Sequence, residues 1–521
     1  MIEARKGLSR RKFVAGAVAA FGCGGVTARP AISRARERPL ITHGIQSGDV
    51  SSNSGIVWAR TDRPARMIVE VSATESFRNI HERVEIDALP GSDFTAKALV
   101  ERLPPGQEVF YRVRFQDLYS PSILSAPAIG RFRTAPLDRR SISFVWSGDT
   151  VGQGWGIDEA HGGLRGYSAL LHDKPDFFVH CGDSVYADCP ISREVPIGAC
   201  EIWKNLTTEE KSKVAETLAE FRGNYKYNLM DRNMQACNAE LPIVAIWDDH
   251  EVTNDWYPGQ IISAPGYQER NALVLAARAN QAFREFMPMR ESPAEAGRVY
   301  RRLRYGPMLD VFLLDMRSDR GPNDESRFAT EGPGTRILGE AQADWLKRSL
   351  QNSRATWKVI AADLPLCLIS EDTIAQGDGP PLGKEIEIAE ILAFIKRAGV
   401  KNVIWITADM HYTAAHHYDP NRAVFQDFDP FWEFLSGPLH AGTWGPQPVD
   451  NTFGPRVVFQ KGCSNEQGEN LAPCFGLQFY GHVAIDGASE VMTVTLKDID
   501  NRSLWSIAIE PEFSTQLSGR S

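Results

Sequence analysis

The sequence predicts an α/β protein with two domains, in which a small antiparallel β-sandwich precedes a larger sheet covered by helices. The length of 521 residues exceeds what one hydrophobic core usually serves, which favours two domains. Residues 40–135 form short alternating segments, whereas the chain after about residue 140 forms apolar runs separated by helical stretches. Hydrophobic residues make up 43% of the chain and charged residues 24%, so a large core can be buried.

The first 39 residues predict an export signal and a linker. The segment SRRKF contains Arg10 and Arg11 and precedes a short apolar run that ends near Ala28. This run is too short to span a bilayer as a stable anchor. The pattern resembles a twin-arginine signal. We therefore expect a periplasmic or secreted protein that uses the twin-arginine export machinery and has no transmembrane anchor.

The first domain is expected to span residues 40–135. GIVWAR, MIVEVSA, ALVERL and VFYRVRF are short β-rich segments separated by Gly, Pro, Asp and Asn turns. The length is close to that of common β-sandwiches, which have about 100 residues. The stretch LPPGQEVFYRVRF resembles the turn and tyrosine-bearing strand of a fibronectin type III module. Its acids are scattered, so this domain is not expected to be catalytic, and TAPLDRRS is the expected linker.

The second domain is expected to span residues 140–513, and apolar runs of strand length within it end in polar residues. Helical stretches such as TEEKSKVAETLAEFRGNY and LGEAQADWLKRSLQ separate the runs, which indicates a sheet covered by helices. Ligands bind beyond the carboxyl ends of the strands in such sheets. We therefore expect the polar residues to meet at one edge. The runs are SFVWSGDT at 143–150, DFFVHCGDSVY at 176–186, LPIVAIWDDHE at 241–251, VFLLDMRSDR at 311–320 and NVIWITADMHY at 402–412.

The acids at this edge predict a metal site. Each acid alone has an ordinary explanation, because an Asp after a strand often caps the next helix or turn. Burying so many carboxylates together without cations would cost too much free energy. Oxygen-rich ligands with few imidazoles favour hard ions such as Fe(III), Ca, Mg or Mn. The residues concerned are Asp149, Asp183, Asp248, Asp249, Asp409 and His411.

Charge and cysteine content restrict the function classes further. The net charge of −9, with no basic run after the first 40 residues, argues against a nucleic-acid-binding surface. The cysteines include no CxxC pair with zinc-finger spacing, which argues against a structural zinc site. The close pairs Cys189/Cys200 and Cys463/Cys474 lie in loop-like surroundings where an exported protein can form disulfides, although the pairing stays open.

The motifs SGD, GDxxY, WDDHE and ADMH, in this order and at these separations, resemble the metallophosphoesterase signature of PhoD-type alkaline phosphatases. The resemblance extends from the signal through THGIQSGDVSSNSGIVWAR to the closing GHVAIDG. It implies a fibronectin-III-like N-terminal domain and a catalytic domain built as a β-sandwich of mixed sheets flanked by helices. It also implies that a metal-bound hydroxide hydrolyses phosphate monoesters or diesters.

The same resemblance implies a dinuclear centre that holds Fe(III) together with Ca(II) or another divalent ion. Asp183 would bridge the two ions. The other ligands implied are Asp149, Tyr186 and His411 for the iron, and Asp249 and Asp409 for the second ion. One departure leaves the metal identity open, because related enzymes have a cysteine in the first motif, where this chain has Ser147-Gly148-Asp149.

Further residues are expected to act on the substrate. His250 would protonate or stabilise the leaving oxygen. Arg317 or Arg320 would bind the phosphate as a fork, although a structural salt bridge explains these arginines equally well. His440, in the Gly/Pro/Trp-rich loop at 437–446, would line the substrate mouth or simply pack in a surface loop. His416 and His417 follow no strand end and are left outside the metal site.

Three alternatives to an alkaline phosphatase remain open at this point. A phospholipase-D-like phosphodiesterase of the same family would act on phospholipids or other diesters. A hydrolase of another bond, such as an amide, would use the same kind of centre, but GDxxY followed by DDHE matches no such pattern. An extracytoplasmic binding protein stabilised by calcium is disfavoured by His250 and His411, because calcium rarely uses imidazole ligands.

Overall fold

A computed structural model of the chain describes residues 38–198, 201–323, 328–370, 372 and 374–513. The twin-arginine segment of the predicted signal lies outside these residues. Within the described ranges, no helix combines the length and the apolar character that crossing a membrane requires.

The N-terminal part of the chain forms two facing β-layers. Its strands are β1 (Ile41–Gly48), β2 (Gly55–Thr61), β3 (Ala65–Ser72), β4 (Glu82–Ala88), β5 (Thr95–Val100), β6 (Glu108–Asp117) and β7 (Ala128–Arg133). One layer is an antiparallel sheet in the order β4-β3-β6-β7, and β1, β2 and β5 form the other layer. Alternate side chains of the strands meet between the layers, where Met67, Tyr111 and Phe115 are fully buried.

The remaining strands complete two large sheets and one hairpin. They are β8 (Ile142–Ser147), β9 (Phe177–Cys181), β10 (Glu194–Pro196), β11 (Ile202–Lys204), β12 (Ile243–Ile246), β13 (Arg301–Tyr305), β14 (Leu309–Leu313), β15 (Trp357–Ala361), β16 (Val403–Thr407), β17 (Thr413–Tyr418), β18 (Phe431–Leu435), β19 (Pro455–Lys461), β20 (Phe479–Ile485), β21 (Met492–Asp498) and β22 (Ser503–Ile509). The nine-stranded sheet has the order β22-β21-β20-β8-β9-β12-β1-β2-β5, and the seven-stranded sheet has the order β13-β14-β15-β16-β18-β17-β19.

The nine-stranded sheet joins the N-terminal layers to the rest of the molecule. β1 runs parallel to β12, with Gly48 opposite Ile243. A Cβ atom on Gly48 would overlap the carbonyl oxygen of Ile243, so this junction requires a glycine. One layer of the expected sandwich is therefore continuous with the larger sheet. The division of the chain at 40–135 and 140–513 stays a prediction.

The two large sheets pack face to face, with helices on their outer sides. One hydrophobic core runs between the sheets and contains Trp146, Ile246, Val311 and Ile404. The helices are α1 (Arg165–Leu170), α2 (Leu218–Asn228), α3 (Arg232–Glu240), α4 (Ala272–Phe286), α5 (Glu340–Gln351) and α6 (Glu385–Arg397). The α/β class and the sandwich of mixed sheets are confirmed.

One of the helical stretches expected from the sequence is shorter than its pattern indicates. TEEKSKVAETLAEFRGNY gives an α-helix only from Leu218, because Thr217 and Glu220 form a reciprocal capping box that fixes the first turn there. A short 3₁₀ turn at Glu210–Ser212 precedes it. LGEAQADWLKRSLQ, in contrast, forms α5 as expected.

The five apolar runs form strands β8, β9, β12, β14 and β16. β8, β9 and β12 are parallel neighbours in the nine-stranded sheet, and β14, β15 and β16 are parallel neighbours in the seven-stranded sheet. The carboxyl ends of parallel neighbours lie at the same edge. The polar residues that follow the strands are thereby gathered at the edges of both sheets.

Candidate active site

The turns that follow the central strands hold their polar residues in a strained backbone conformation. Asp149 follows β8, Asp183 follows β9, and Asp409 and His411 follow β16. Their φ angles are 63°, 54°, 69° and 57°. This left-handed region costs a residue other than glycine on the order of 1–3 kcal/mol, and such residues cluster at functional sites. The local backbone therefore marks the same edge as the polar side chains do.

A first group of side chains surrounds His411. Asp149, Asp183 and His411 each bring one ligand atom within 4.8 Å of the others. Nδ1 of His411 lies 2.5 Å from the carbonyl oxygen of Gly442, and it must donate there because a carbonyl only accepts. Nε2 is then free of a proton and lies 2.7 Å from the phenol oxygen of Tyr186. The residues expected around one ion thus lie together, with the imidazole lone pair directed at them.

A second group lies beside the first and shares one member with it. Asp183, Asp248, Asp249 and Asp409 have carboxylate oxygens within 4.8 Å of one another. Asp183 belongs to both groups and is fully buried. The sequence placed Asp248 among the acids that predict the metal site, but the resemblance assigned it to neither ion.

Several carboxylate oxygens in these groups lack a hydrogen-bond partner among the described residues. They are both oxygens of Asp149, Oδ2 of Asp183, Oδ2 of Asp248 and Oδ1 of Asp249. A buried carboxylate without partners is costly, since it has lost its hydration. This donor set, rich in carboxylate oxygens and with few imidazoles, suits hard cations.

The pKa shifts of the buried carboxyl groups also support a cation-binding site. Burial, and then the charge of Asp248, raise the pKa of Asp149 well above its ordinary value. Burial, and then Asp249, do the same to the pKa of Asp183. Bound cations would reverse both shifts, because a nearby positive charge favours the ionised carboxylate.

His250 borders this centre and is held by a carboxylate that sequence reasoning did not assign. Nδ1 of His250 lies 2.8 Å from Oδ1 of Asp188 and donates a proton to it. The ring also packs against Tyr186 with a centroid distance of 4.2 Å. Burial alone would lower the pKa of His250, but Asp188 and Asp249 outweigh burial and raise it to about 10. Asp188 fixes the ring so that Nε2 is available on its other side.

Glu251, the last residue of WDDHE, is a scaffold for the turns. Its carboxylate accepts hydrogen bonds from the backbone N–H groups of Asp183 (3.2 Å), Ser184 (2.6 Å) and Asp248 (2.8 Å). It therefore fixes the turn after β9 to the turn after β12. The sequence predicts roles for Asp249 and His250 of this motif but none for Glu251.

The arginines of DMRSDR are engaged by carboxylates. The Arg317 side chain is fully buried and lies 2.6 Å from Oδ1 of Asp248. The Arg320 side chain is also fully buried, and its Nη2 lies 2.7 Å from Oδ1 of Asp372. This is the salt-bridge alternative left open for both residues. The fork to phosphate has no support in this geometry, because neither guanidinium reaches the surface.

A cleft of about 460 Å³ opens onto the carboxylate groups. Its described lining contains acids, two histidines, amides, a serine and aromatic or apolar side chains but no Lys or Arg. The lining residues are Gln153, Asp249, His250, Asn254, Asp255, Ser370, Asp372, Asp409, Met410, His411, Trp444 and Gln447. The loop residues in this set belong to no motif, so no pattern in the sequence predicts their place in the cleft.

His440 does not belong to the described lining of this cleft. Its side chain is buried, and Nε2 donates to the carbonyl oxygen of Gly156 at 3.1 Å. Burial lowers its pKa to about 4, so the ring is neutral. The backbone N–H of His440 donates to the carbonyl oxygen of Asp149. This corrects the expectation that it lines the substrate mouth, since the ring instead supports the turn after β8 from behind.

The cysteines give no disulfide among the described residues. Cys463 is buried and Cys474 is exposed, and both are free thiols. The suggested Cys463/Cys474 pair is therefore not formed. Cys189 is also free, and Cys200 lies outside the described residues.

The comparisons with known proteins agree with this geometry. A family model of the PhoD-like phosphatase matches residues 144–496. The chain belongs to the PhoD-like phosphatase family. A second model, of the N-terminal domain of PhoD-like phosphatases, matches residues 26–136. Alkaline phosphatase D of Bacillus subtilis (strain 168) is 26% identical over 434 residues, which are 77% of this chain and 69% of that protein.

Two solved structures share the fold. A structure of PhoD has a TM-score of 0.67 at 21% identity and covers 90% of this chain and 89% of its own. The purple acid phosphatase PPD1 from yellow lupin (Lupinus luteus) seeds has a TM-score of 0.56 at 11% identity and covers 91% of this chain and 75% of its own. Membership of the PhoD-like phosphatase family makes the chain a phosphoric ester hydrolase.

Proposed function

We propose that this PhoD-like phosphatase hydrolyses phosphate esters at a dinuclear metal centre built at the edge of its two packed sheets. The observation that carries the proposal is the set of buried carboxylate oxygens without partners, shared by two groups that meet at Asp183. The catalytic domain would be residues 140–513, attached to an N-terminal domain of residues 40–135. Family membership favours this activity over a calcium-stabilised binding protein or an amide hydrolase.

We assign the ligands as the resemblance implies. Asp149, Tyr186 and His411 would hold one ion, Asp249 and Asp409 would hold the other, and Asp183 would hold both. Two cations so placed would neutralise phosphoryl oxygens and make a coordinated water acidic enough to supply hydroxide near neutral pH.

The chain's own contribution to the reaction would come from His250. Asp188 binds Nδ1 of the ring, so Nε2 is the atom that can face a leaving oxygen in the cleft. His250 would donate the proton from Nε2 to that oxygen as the ester bond breaks. Asp188 would act as a positioning residue, because it fixes the orientation and favours the charged form of the imidazole.

The experiment that tests the function combines elemental analysis with hydrolysis rates. The purified holoenzyme is expected to contain two or more metal ions per chain and to hydrolyse p-nitrophenyl phosphate or bis-p-nitrophenyl phosphate. Removal of the ions by a chelator should abolish hydrolysis, and their return should restore it. A metal-free protein with full activity would refute the proposal.

Within phosphate esters, the cleft favours diesters. A monoester carries up to two negative charges near pH 7, whereas a diester carries one. Beyond His250 and the two proposed ions, the described lining of the cleft has no Lys or Arg to balance the second charge, and it contains Asp255 and Asp372. We therefore expect a higher kcat/KM for bis-p-nitrophenyl phosphate than for p-nitrophenyl phosphate. Release of a phospholipid head group from vesicles would extend the activity to the phospholipase-D-like alternative.

We further propose Fe(III) for the ion beside Tyr186, with Ca(II) or another divalent ion as its neighbour. Burial, and then the charge of Asp183, raise the pKa of the Tyr186 phenol well above its ordinary value, so the phenol loses its proton only to a strong Lewis acid. A ferric phenolate absorbs visible light. The holoenzyme should be coloured, and Tyr186→Phe should lose the colour while the far-UV circular dichroism stays unchanged. A colourless, active, iron-free enzyme would exclude iron but leave the phosphoesterase intact.

The localisation that we propose is periplasmic or secreted, after export by the twin-arginine route. The support is the segment SRRKF and the short apolar run after it. Replacing both Arg10 and Arg11 by Lys should retain the precursor in the cytoplasm, as fractionation would show. Unchanged export of that variant would refute the route.

A further inference from the structure

The side chain of Arg317 lies inside the carboxylate cluster and touches several acids at once. Its Nε donates to Oδ1 of Asp248 at 2.6 Å and lies 3.4 Å from Oδ2 of Asp363. Nη2 lies 3.9 Å from Oδ1 of Asp249, and Nη1 pairs with Asp372. The different edges of one planar guanidinium therefore meet acids that come from separate turns.

These turns belong to both sheets. Asp248 and Asp249 follow β12 of the nine-stranded sheet, whereas Asp363 follows β15 of the seven-stranded sheet. Arg317 itself follows β14 of the seven-stranded sheet. The guanidinium thus ties the two sheets together at the edge where the ligands of the proposed centre converge.

Arg317 reaches the walls of the cleft only from behind. Asp249 and Asp372 line the cleft, whereas Arg317 is fully buried and is absent from the described lining. A guanidinium so enclosed cannot form a fork with phosphate unless it first leaves its carboxylates. Removing one partner of a buried ion pair leaves an uncompensated charge, which is strongly destabilising.

We propose that Arg317 is a positioning residue that holds Asp372 on one wall of the cleft and, through its hydrogen bond to Asp248, holds the turn that carries Asp249 on the other wall, and thereby keeps the second ion of the centre in place. Its effect on catalysis rests on the proposed function, whereas its effect on ion retention does not. Lysine should not replace it, because a single ammonium cannot present donors in several directions within one plane.

Arg320 is the matched control. It is equally buried and carries the same charge, and its Nη1 and Nη2 contact Asp372 at 3.1 Å and 2.7 Å. No contact between Arg320 and Asp248, Asp249 or Asp363 occurs at ion-pair distance among the described residues. Loss of Arg320 therefore removes a contact to Asp372, on one wall of the cleft, but leaves the turn of Asp248 and Asp249 unchanged.

The experiment compares Arg317→Ala, Arg317→Lys and Arg320→Ala as holoenzymes. Each is titrated with a chelator while bound metal is counted by elemental analysis, and kcat and KM are measured with bis-p-nitrophenyl phosphate. Arg317→Ala should lose the second ion at chelator concentrations about 10-fold lower than wild type and should lose about 100-fold in kcat, with KM changed less than about 3-fold. Arg320→Ala should keep both ions and change mainly KM.

Chemical rescue separates positioning from general loss of structure. Guanidinium chloride at about 50 mM should raise the kcat of Arg317→Ala at least about 5-fold. Ammonium chloride should not, because only the planar guanidinium fits the contacts that the arginine leaves empty. Arg317→Lys should remain about 10-fold or more below wild type in kcat.

Other outcomes overturn the proposal. A role in phosphate binding would raise KM in Arg317→Ala, leave both ions bound, and allow Arg317→Lys to recover most of the activity. If Arg317→Ala does not fold, Arg317→Lys takes its place in the test. The proposal is then overturned if Arg317→Lys retains both ions as well as wild type does. Should wild type hydrolyse no phosphate ester, the proposed function fails, and the chelator titration still decides whether Arg317 holds the second ion.

Discussion

Two buried clusters of ionisable side chains in this molecule contain similar residues but differ in how their oxygens are bonded. The sheet-edge cluster comprises Asp149, Asp183, Asp248, Asp249, Asp409 and His411. The core cluster comprises Cys367, His416, Tyr418 and Glu433, and its Cys, His and Glu ligand atoms also approach within 4.8 Å. Composition and distance alone would make both of them metal sites.

Hydrogen bonding of the carboxylates separates the two, although Nε2 of His416 in the core cluster also lacks a hydrogen-bond partner among the described residues. In the core cluster, Oε2 of Glu433 accepts from Tyr418 (2.8 Å) and from Nδ1 of His416 (3.0 Å), and Oε1 accepts from the N–H of Leu366 (2.7 Å). In the sheet-edge cluster, both oxygens of Asp149 lack a hydrogen-bond partner among the described residues. A carboxylate whose oxygens are all bonded has a structural explanation, whereas buried oxygens without hydrogen bonds are available to a cation.

The largest expected effect tests the bridging carboxylate of the sheet-edge cluster. Asp183→Asn should reduce phosphoesterase activity about 10³-fold or more, because a neutral amide does not hold two cations as a carboxylate does. Elemental analysis should show fewer bound ions. Glu433→Gln, in the core cluster, should keep both the ions and the activity. Retention of more than about a tenth of wild-type activity by Asp183→Asn would contradict the bridging role.

The second prediction concerns Asp188, which borders the sheet-edge cluster. Asp188→Asn should reduce kcat about 10- to 100-fold, because His250 loses the partner that orients Nδ1 and favours its charge. The loss should be greater for alkyl esters than for p-nitrophenyl esters, since a poor leaving group needs the proton more. Equal losses for both ester types would show that Asp188 acts on the fold rather than on proton donation.

How much of this arrangement the sequence predicts depends on whether a residue follows a strand. Asp149, Asp183 and Asp409 end apolar runs, so their meeting at one edge was predictable from the strand pattern. Asp363 ends a similar run, WKVIAAD, and the same rule would have found it. Asp188 and Asp372 lie in turns and loops without a periodic signal, and tertiary packing alone brings them to His250 and the arginines.

The sequence also does not distinguish an arginine that binds substrate from an arginine that forms salt bridges within the protein. Arg317 stands after a strand like the acids of the sheet-edge cluster, so its position was equally compatible with a phosphate fork and with a structural salt bridge. Its depth behind Asp249 and Asp372 follows from the way in which the two sheets pack. The ring of His440 lies deeper than the Gly/Pro-rich composition of its loop indicates, because residues 437–443 of this loop are buried.

The third prediction tests the core cluster as a structural element. Glu433→Ala should destabilise the protein by about 3–5 kcal/mol, because His416 and Tyr418 lose their acceptor in a fully buried site. The thermal unfolding midpoint should fall, while the number of bound metal ions in the folded protein stays unchanged. Loss of one ion per chain in this variant would instead make the core cluster a metal site.

The smallest expected effect, taken for each pH unit, is the pH dependence of the core cluster. Burial lowers the pKa of His416, but Cys367 and Glu433 outweigh it and raise the pKa to about 10. The unfolded chain would titrate near the ordinary value of about 6.5. The stability from the charged ring is therefore complete below about pH 6.5 and is lost as pH rises towards 10, by at most about 1.4 kcal/mol for each pH unit. Denaturant midpoints of wild type and His416→Gln at several pH values would measure it, because the variant lacks this titration. Parallel curves for the two proteins would mean that His416 is neutral in the fold and that its bond to Glu433 joins a neutral imidazole to a carboxylate.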